Sequence, residues 1–113
     1  MELKQRTKLY ALSIIRLCSA LPKNETGKII SRQLLRSGTS VGANTRAAFR
    51  GRSNKEFIAK IGIVIEEADE SLYWLELLTE GEIVPNNKQL VALKKETEEI
   101  IAIFVSIKDR HKS

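Results

Sequence analysis

The sequence has very few of the residues that build most catalytic and metal sites. Its 113 residues include one cysteine, Cys18, and one histidine, His111. A single cysteine excludes an intrachain disulfide and favours the reducing cytoplasm, and we interpret Cys18 as a small buried hydrophobic residue. A zinc site needs a cluster of cysteine and histidine ligands. We therefore predict no metal site and no cofactor.

Proline and aromatic residues are also scarce. Pro22 and Pro85 are the only prolines, and the long stretches without proline favour helices. Aromatic residues make up 5% of the chain, and 42% of the chain is hydrophobic. No uncharged run reaches the length that spans a membrane. The length and composition predict one domain over residues 1–113, in the cytoplasm and without a membrane partner.

Apolar residues recur at helical spacing in four segments of the chain. This periodicity predicts helices over residues 3–20, 27–50, 54–80 and 87–109. Ser53 followed by Glu56 has the pattern of a capping box, which indicates the start of the third helix. Because short loops join the segments, consecutive helices should run antiparallel. The predicted fold is all-α, an antiparallel up-down four-helix bundle.

The middle of the second segment has an unusual composition. Residues 37–43 read SGTSVGA, and glycine, serine and threonine are poor helix formers. Either the helix breaks here into a loop, or the small side chains let another helix approach closely. Leu34 and Val41 are seven residues apart and stay in phase across the glycine, which favours a continuous helix.

Charge is distributed unevenly along the chain, whose net charge is +5. Residues 22–53 contain seven Lys or Arg against one acid, whereas residues 54–80 contain two Lys against seven acids. If the second helix is continuous, five basic side chains share an arc of about 80° opposite its apolar side. These residues are Lys28, Arg32, Arg36, Arg46 and Arg50. Such a row suits a phosphate backbone, so we predict nucleic-acid binding through this face.

Other interpretations of the basic row are open at this point. The arginines can pair with acids of the third helix, within one chain or between subunits, or they can simply face solvent. The candidate acids are Glu66, Glu67, Glu70 and Glu76. If the pairs form between subunits, the protein is a scaffold or an accessory subunit. No aromatic residue interrupts the row, so base stacking is not indicated.

The wide apolar faces indicate self-association. In the first segment, Leu9, Leu12 and Leu17 widen the apolar stripe beyond a narrow seam. Tyr73 and Trp74 are consecutive, so their side chains point about 100° apart and cannot both lie deep in one small core. One of the two is expected at a subunit interface. The alternative is a residue at the rim that shields the bundle.

Catalysis has little support. Residues 38–42 read Gly-x-Ser-x-Gly, but they lack the strand-turn-helix context of a nucleophile elbow and a histidine base. Glu66, Asp69 and Glu70 could face one Mg²⁺ from a single helix, but we favour the simpler interpretation that they form a solvated acidic face. We therefore predict a protein that is not an enzyme, with no catalytic residues and no small-molecule substrate.

Two long motifs carry a family resemblance. Residues 34–44 read LLRSGTSVGAN and residues 67–78 read EADESLYWLELL, with FIAKI at 57–61. Together they resemble the bacterial four-helix bundle family encoded in intervening sequences of 23S ribosomal RNA genes, over nearly the whole chain. The accessory protein of diversity-generating retroelements looks like a relative.

The resemblance implies a ring-like homopentamer with a basic surface. In the retroelement relatives that surface serves nucleic-acid and reverse-transcriptase binding, so the second interpretation of this protein, after nucleic-acid binding, is an accessory subunit of such an enzyme. The family usually carries an acid a few residues after the Gly-Ala-Asn motif, near the position of Ala47 here. Residues 46–52 are correspondingly more basic, which favours binding of a polyanion.

Overall fold

The chain folds into four helices in a computed structural model that describes residues 1–85 and 87–111. The helices are α1 (Leu3–Ser19), α2 (Glu25–Phe49), α3 (Asn54–Glu80) and α4 (Lys88–Arg110). Each helix packs against the next, and α4 returns to α1, so the four close an antiparallel bundle with extents of 46 × 22 × 19 Å. No strand occurs in the described ranges. The prediction of an all-α four-helix bundle is confirmed.

Side-chain caps decide where three of the helices begin. The side chains of Asn24, Ser53 and Asn87 each accept a hydrogen bond from the backbone N–H three residues further on. Each cap satisfies a donor that the first turn of a helix leaves without a partner. Because Asn24 caps α2, this helix begins two residues earlier than predicted. The predicted start of the third helix after Ser53 is confirmed.

α2 runs without a break through its small residues, which confirms its predicted continuity. A Cβ added to Gly38 would lie 2.8 Å from Cγ2 of Ile14 on α1, and one added to Gly42 would lie 3.2 Å from the backbone oxygen of Thr7. These distances are shorter than ordinary van der Waals contact. The two glycines therefore allow α1 to approach the backbone of α2, which offsets the cost of about 1 kcal/mol for a glycine inside a helix.

The hydrophobic core runs along the whole bundle and takes side chains from all four helices. Its fully buried members include Ile14, Leu34, Val41, Ile61, Val64, Leu75, Leu78, Leu90, Ile100 and Phe104. Two polar pairs lie among them: Tyr10 with Thr97 between α1 and α4, and Ser37 with Ser71 between α2 and α3. Each pair is hydrogen-bonded, as buried polar groups must be.

Cys18 is 5% exposed, which confirms its predicted burial. Burial also raises the pKa of its thiol.

Candidate nucleic-acid interface

The five predicted basic residues lie along the outer side of α2. Because the helix is continuous, four of them are on its exposed face, and Arg50 is the residue that caps its C-terminus. All five are exposed to solvent, whereas Leu34 and Val41 of the same helix are fully buried. The condition on which the predicted arc depended, an unbroken helix, is therefore met.

Arg36 differs from the other four because it binds two glutamates of α3. Its Nη1 lies 2.9 Å from Oε2 of Glu67, and its Nη2 lies 2.7 Å from Oε2 of Glu70. Glu70 also accepts a hydrogen bond from Nε1–H of Trp74 at 3.2 Å. The hydrogen bonds from Arg36 lower the pKa of Glu70. For Arg36, pairing with the acidic helix within one chain is the arrangement that the structure contains.

The remaining four cations form two pairs near opposite ends of α2. Lys28 and Arg32 line a cleft of about 260 Å³ together with Lys23 and with residues of the loop between α1 and α2. Arg46 and Arg50 line a cleft of about 360 Å³ between α1 and α2. Arg36 lies between the pairs and is already engaged by Glu67 and Glu70. The basic row is therefore divided in the folded protein.

The cleft at the C-terminal end of α2 also contains two lysines of α1. Lys4 and Lys8 line it together with Arg46 and Arg50. Sequence reasoning missed these lysines because it followed the charge along one helix at a time. The two lysines lie beside α2 because α1 packs closely against it at Gly42. In the sequence, only the small residues of α2 indicated that another helix packs closely here.

A further cleft, of about 260 Å³, lies on the α3 side of Arg50. Arg52 and Lys60 line it together with Ala47 and Glu56. Arg50 belongs to both clefts and joins them. We call the surface formed by the cations of these two clefts the basic end; its members are Lys4, Lys8, Arg46, Arg50, Arg52 and Lys60.

Tyr73 and Trp74, the two predicted interface residues, have different surroundings. Tyr73 is 53% exposed, whereas Trp74 is half-buried and packs against the core. Their rings meet edge to face with 5.2 Å between centroids. The two side chains do not both lie deep in the core, as expected, and Tyr73 is the more exposed of them; a role at a subunit interface stays a prediction.

α1 carries a row of exposed apolar side chains. Leu9, Leu12 and Ile15 are 41%, 37% and 41% exposed. Beside them, a groove of about 490 Å³ opens between α1 and α4, with Leu9, Tyr10, Ala92 and Leu93 among its lining. The self-association that the apolar faces predicted stays a prediction.

The chemical groups considered for catalysis or metal binding are not brought together. Within residues 1–85 and 87–111, no three His, Cys, Asp or Glu side chains are grouped where they could hold a metal ion. Glu70, one of the acids considered for Mg²⁺, is bound by Arg36. Ser40 lies inside α2, and Nδ1 of His111 lies 2.8 Å from the backbone oxygen of Ile107. The search of the described helices found none that is long and apolar enough to cross a membrane.

The fold and its surface define a class, the antiparallel four-helix bundle with a basic face on its second helix. The family model of the 23S rRNA-intervening sequence protein matches residues 1–106, and the chain belongs to this family. The resemblance inferred from the two motifs is confirmed.

A solved structure of a protein with unknown function from the S23 ribosomal protein family of Bacteroides thetaiotaomicron is 36% identical in sequence. It has a TM-score of 0.87, and the match covers 95% of this chain and 98% of that chain. No curated protein matches the sequence.

Proposed function

We propose that this protein is a non-enzymatic, cytoplasmic bundle that binds structured RNA or DNA through the phosphate backbone, using the basic face of α2. One observation carries the proposal. Lys28, Arg32, Arg46 and Arg50 are exposed on or at the end of one continuous helix, and the ion pairs among the described residues engage none of them. Cations that the protein leaves uncompensated are suited to an external polyanion.

The physical basis of binding is the release of counterions from the nucleic acid. Each Lys or Arg that neutralises a phosphate releases condensed counterions, so the logarithm of the affinity falls linearly with the logarithm of salt concentration. Contacts to phosphates position a protein and carry little sequence information. We therefore expect steep salt dependence and similar affinities for unrelated sequences.

The proposal includes assembly with further copies of the same chain. The exposed apolar residues of α1, Leu9, Leu12 and Ile15, support self-association, and a pentamer is the number that the family resemblance implies. A ring would repeat the basic face of α2 around its circumference. Repeated sites on one nucleic acid raise the effective affinity when the geometry allows simultaneous binding.

The double variant R46Q/R50Q tests the binding proposal. We expect the slope of the salt dependence to fall by roughly 0.7–0.9 for each lost contact and binding to weaken equally for unrelated RNAs. Sedimentation should be unchanged, because surface substitutions usually alter stability by less than about 0.5 kcal/mol. The matched control is K88Q/K95Q, which removes two exposed charges from α4.

A second candidate function is a protein scaffold or an accessory subunit, for example of a reverse transcriptase. The ion pairs of Arg36 with Glu67 and Glu70 form within one chain, so Arg46 and Arg50 are the arginines of this row that such a scaffold would use between subunits. The exposed Tyr73 offers a contact for a partner chain. In this case R46Q/R50Q would disrupt assembly and leave RNA affinity unchanged, and Y73A would loosen the oligomer.

A further inference from the structure

We infer that the phosphates are bound at the basic end, by cations of α1, α2 and the start of α3 together, and that Lys28 and Arg32 contribute little. This inference rests on the proposed function and specifies the part of the bundle that carries it. It differs from the face of α2 considered alone, because four of its six residues, Lys4, Lys8, Arg52 and Lys60, lie neither on α2 nor at its C-terminal cap, Arg50.

The two acids near the basic end are already engaged. Glu2 lies 3.7 Å from Nζ of Lys4, and the carboxylate of Glu56 accepts the backbone N–H of Arg52 at 2.6 Å. These are the only acids that line the two clefts among the described residues. Six cations therefore share one region in which the acids are few and locally bound.

The charge of α3 explains why Arg46 and Arg50 form no ion pair among the described residues, whereas Lys4 pairs with Glu2 of its own terminus. Six of the seven acids in residues 54–80 occur from Glu66 onwards, and Glu56 is the exception. The first three turns of α3, which lie beside the C-terminal end of α2, contribute Lys55 and Lys60 instead. Arg36 lies opposite the acidic part of α3 and is paired, whereas Arg46 and Arg50 lie beyond it.

The six cations of the basic end exceed its two acids by four charges, and gathering this excess of like charge costs stability unless an anion compensates for it. Because the cations line concave clefts, their fields add and attract an anion more strongly than isolated surface charges do. The opposite cleft has three cations, Lys23, Lys28 and Arg32, and the ammonium group of Lys23 donates to the backbone oxygen of Ser19 at 3.3 Å. The positive potential is therefore expected to be highest at the basic end.

The basic end has the dimensions of a backbone contact. Its cations extend from Lys8 on α1, past Arg46 and Arg50, to Lys60 on α3, across a bundle whose two shorter extents are 22 and 19 Å. A strand of duplex places a phosphate about every 3.4 Å along its axis, so such a path meets several phosphates. None of the described residues that line the two clefts is aromatic, so recognition is of the backbone and not of stacked bases.

The test compares two double variants that remove the same charge. K8Q/K60Q changes lysines of the basic end that are not on α2, and K28Q/R32Q changes the opposite pair. Binding to a duplex RNA and to a single-stranded RNA is measured by fluorescence anisotropy over a series of salt concentrations. We expect K8Q/K60Q to lower the log–log slope by roughly 1.4–1.8, the value for two lost contacts, and K28Q/R32Q to lower it by less than about 0.7.

The controls distinguish failure of this inference from failure of the proposed function. If the wild-type protein shows no salt-dependent binding to either RNA, the proposed function itself is wrong. If the wild-type protein binds but K28Q/R32Q loses two contacts while K8Q/K60Q loses none, the function stands and the basic end is overturned as its location. Equal losses in both variants would also overturn it, since the phosphates would then contact both ends of the basic row and not the basic end alone. Circular dichroism and sedimentation are measured on both variants to check that they fold and assemble as the wild type does.

Discussion

α1 is held by its two neighbours in different ways. Against α2 the helices pack closely, because Gly38 and Gly42 leave room for Ile14 and for the backbone of Thr7. Against α4 the contact is carried by long polar side chains: Nη2 of Arg6 lies 2.7 Å from Oε1 of Glu96, and a groove of about 490 Å³ opens nearby.

The difference shows that the packing of the helices determines which side chains meet at the surface of the protein. On the α2 side, the missing side chains fix a short distance between the helices and so place Lys8 of α1 beside Arg46 of α2. On the α4 side, hydrogen bonds set the alignment of the helices but leave apolar surface uncovered. The first interface builds part of the basic end, and the second leaves apolar side chains of α1 exposed.

The largest expected effect comes from filling the close α1–α2 interface. In the variant G38L, the new Cβ would lie 2.8 Å from Cγ2 of the fully buried Ile14. Overpacking of this kind costs about 1–3 kcal/mol, and the added γ-carbon and methyl groups place this variant at the upper end. Urea unfolding at fixed protein concentration should show a free energy of unfolding lower by about 2–3 kcal/mol.

Gly62 of α3 supplies the control for this prediction. A Cβ there would lie 3.4 Å from Nζ of Lys108, the far end of a flexible side chain. We expect G62A to be neutral or to stabilise the protein by up to about 1 kcal/mol, through helix propensity. A G38L protein as stable as the wild type would show that the helices do not approach as closely as described.

A smaller effect is expected from the ion pairs of the α1–α4 interface. Arg6 donates to Glu96 and Glu99, and the side chains of Arg6 and Glu96 are 24% and 30% exposed. R6Q removes the cation and leaves two carboxylates near each other. We expect the free energy of unfolding to fall by about 1–2 kcal/mol, which lies between the values for surface and buried ion pairs. The loss should shrink at high salt, and a loss that is independent of salt would mean that packing and not charge is responsible.

The hydroxyl of Tyr10 should have the smallest effect. It lies 2.7 Å from Oγ1 of Thr97, and Thr97 itself donates to the backbone oxygen of Leu93 at 2.7 Å, so Tyr10 is the donor of the pair. Y10F therefore leaves one acceptor without its partner. We expect the free energy of unfolding, measured with urea at neutral pH, to fall by about 1 kcal/mol. An unchanged value would indicate that a water molecule replaces the hydroxyl as the donor to Thr97.

Tyr10 also makes the stability of the α1–α4 interface sensitive to alkaline pH. Burial raises the pKa of Tyr10 from 10.0 to about 12. The folded state therefore favours the neutral form of the Tyr10 hydroxyl more than the unfolded state does. The contribution of this hydroxyl to the free energy of unfolding is complete below pH 10 and is lost as the pH rises through about 12. Between these values the stability of the wild type should fall relative to that of Y10F, as followed by circular dichroism. Parallel pH profiles for the two proteins would contradict the burial of this hydroxyl.

Much of the fold could be predicted from the chain because helices depend on local patterns. The four predicted segments differ from the observed helices by at most two residues at each end. The phase of Leu34 and Val41 was sufficient to predict a continuous α2, because both lie on one side of a regular helix. Ser53 was recognised as a cap for the same reason, since a cap and its donor are three residues apart.

The candidate site could be predicted only in part. The exposure of Lys28, Arg32, Arg46 and Arg50 follows from the periodicity of one helix. The pairing of Arg36 does not, because it requires the acidic part of α3 to lie at the same height in the bundle. The choice between Tyr73 and Trp74 likewise depends on which side of α3 faces the core.

Local patterns in the chain were sufficient to predict four amphipathic helices, their short connections and a second helix with cations along its outer side, because these properties repeat within a few residues. Which cations meet acids and which meet one another depends on how the helices pack. Lys8 and Arg46 are 38 positions apart, and they become neighbours because Gly42 lets α1 lie against the backbone of α2. Contacts between distant residues depend on the distance, rotation and alignment of packed helices, and no periodicity within one helix contains that information.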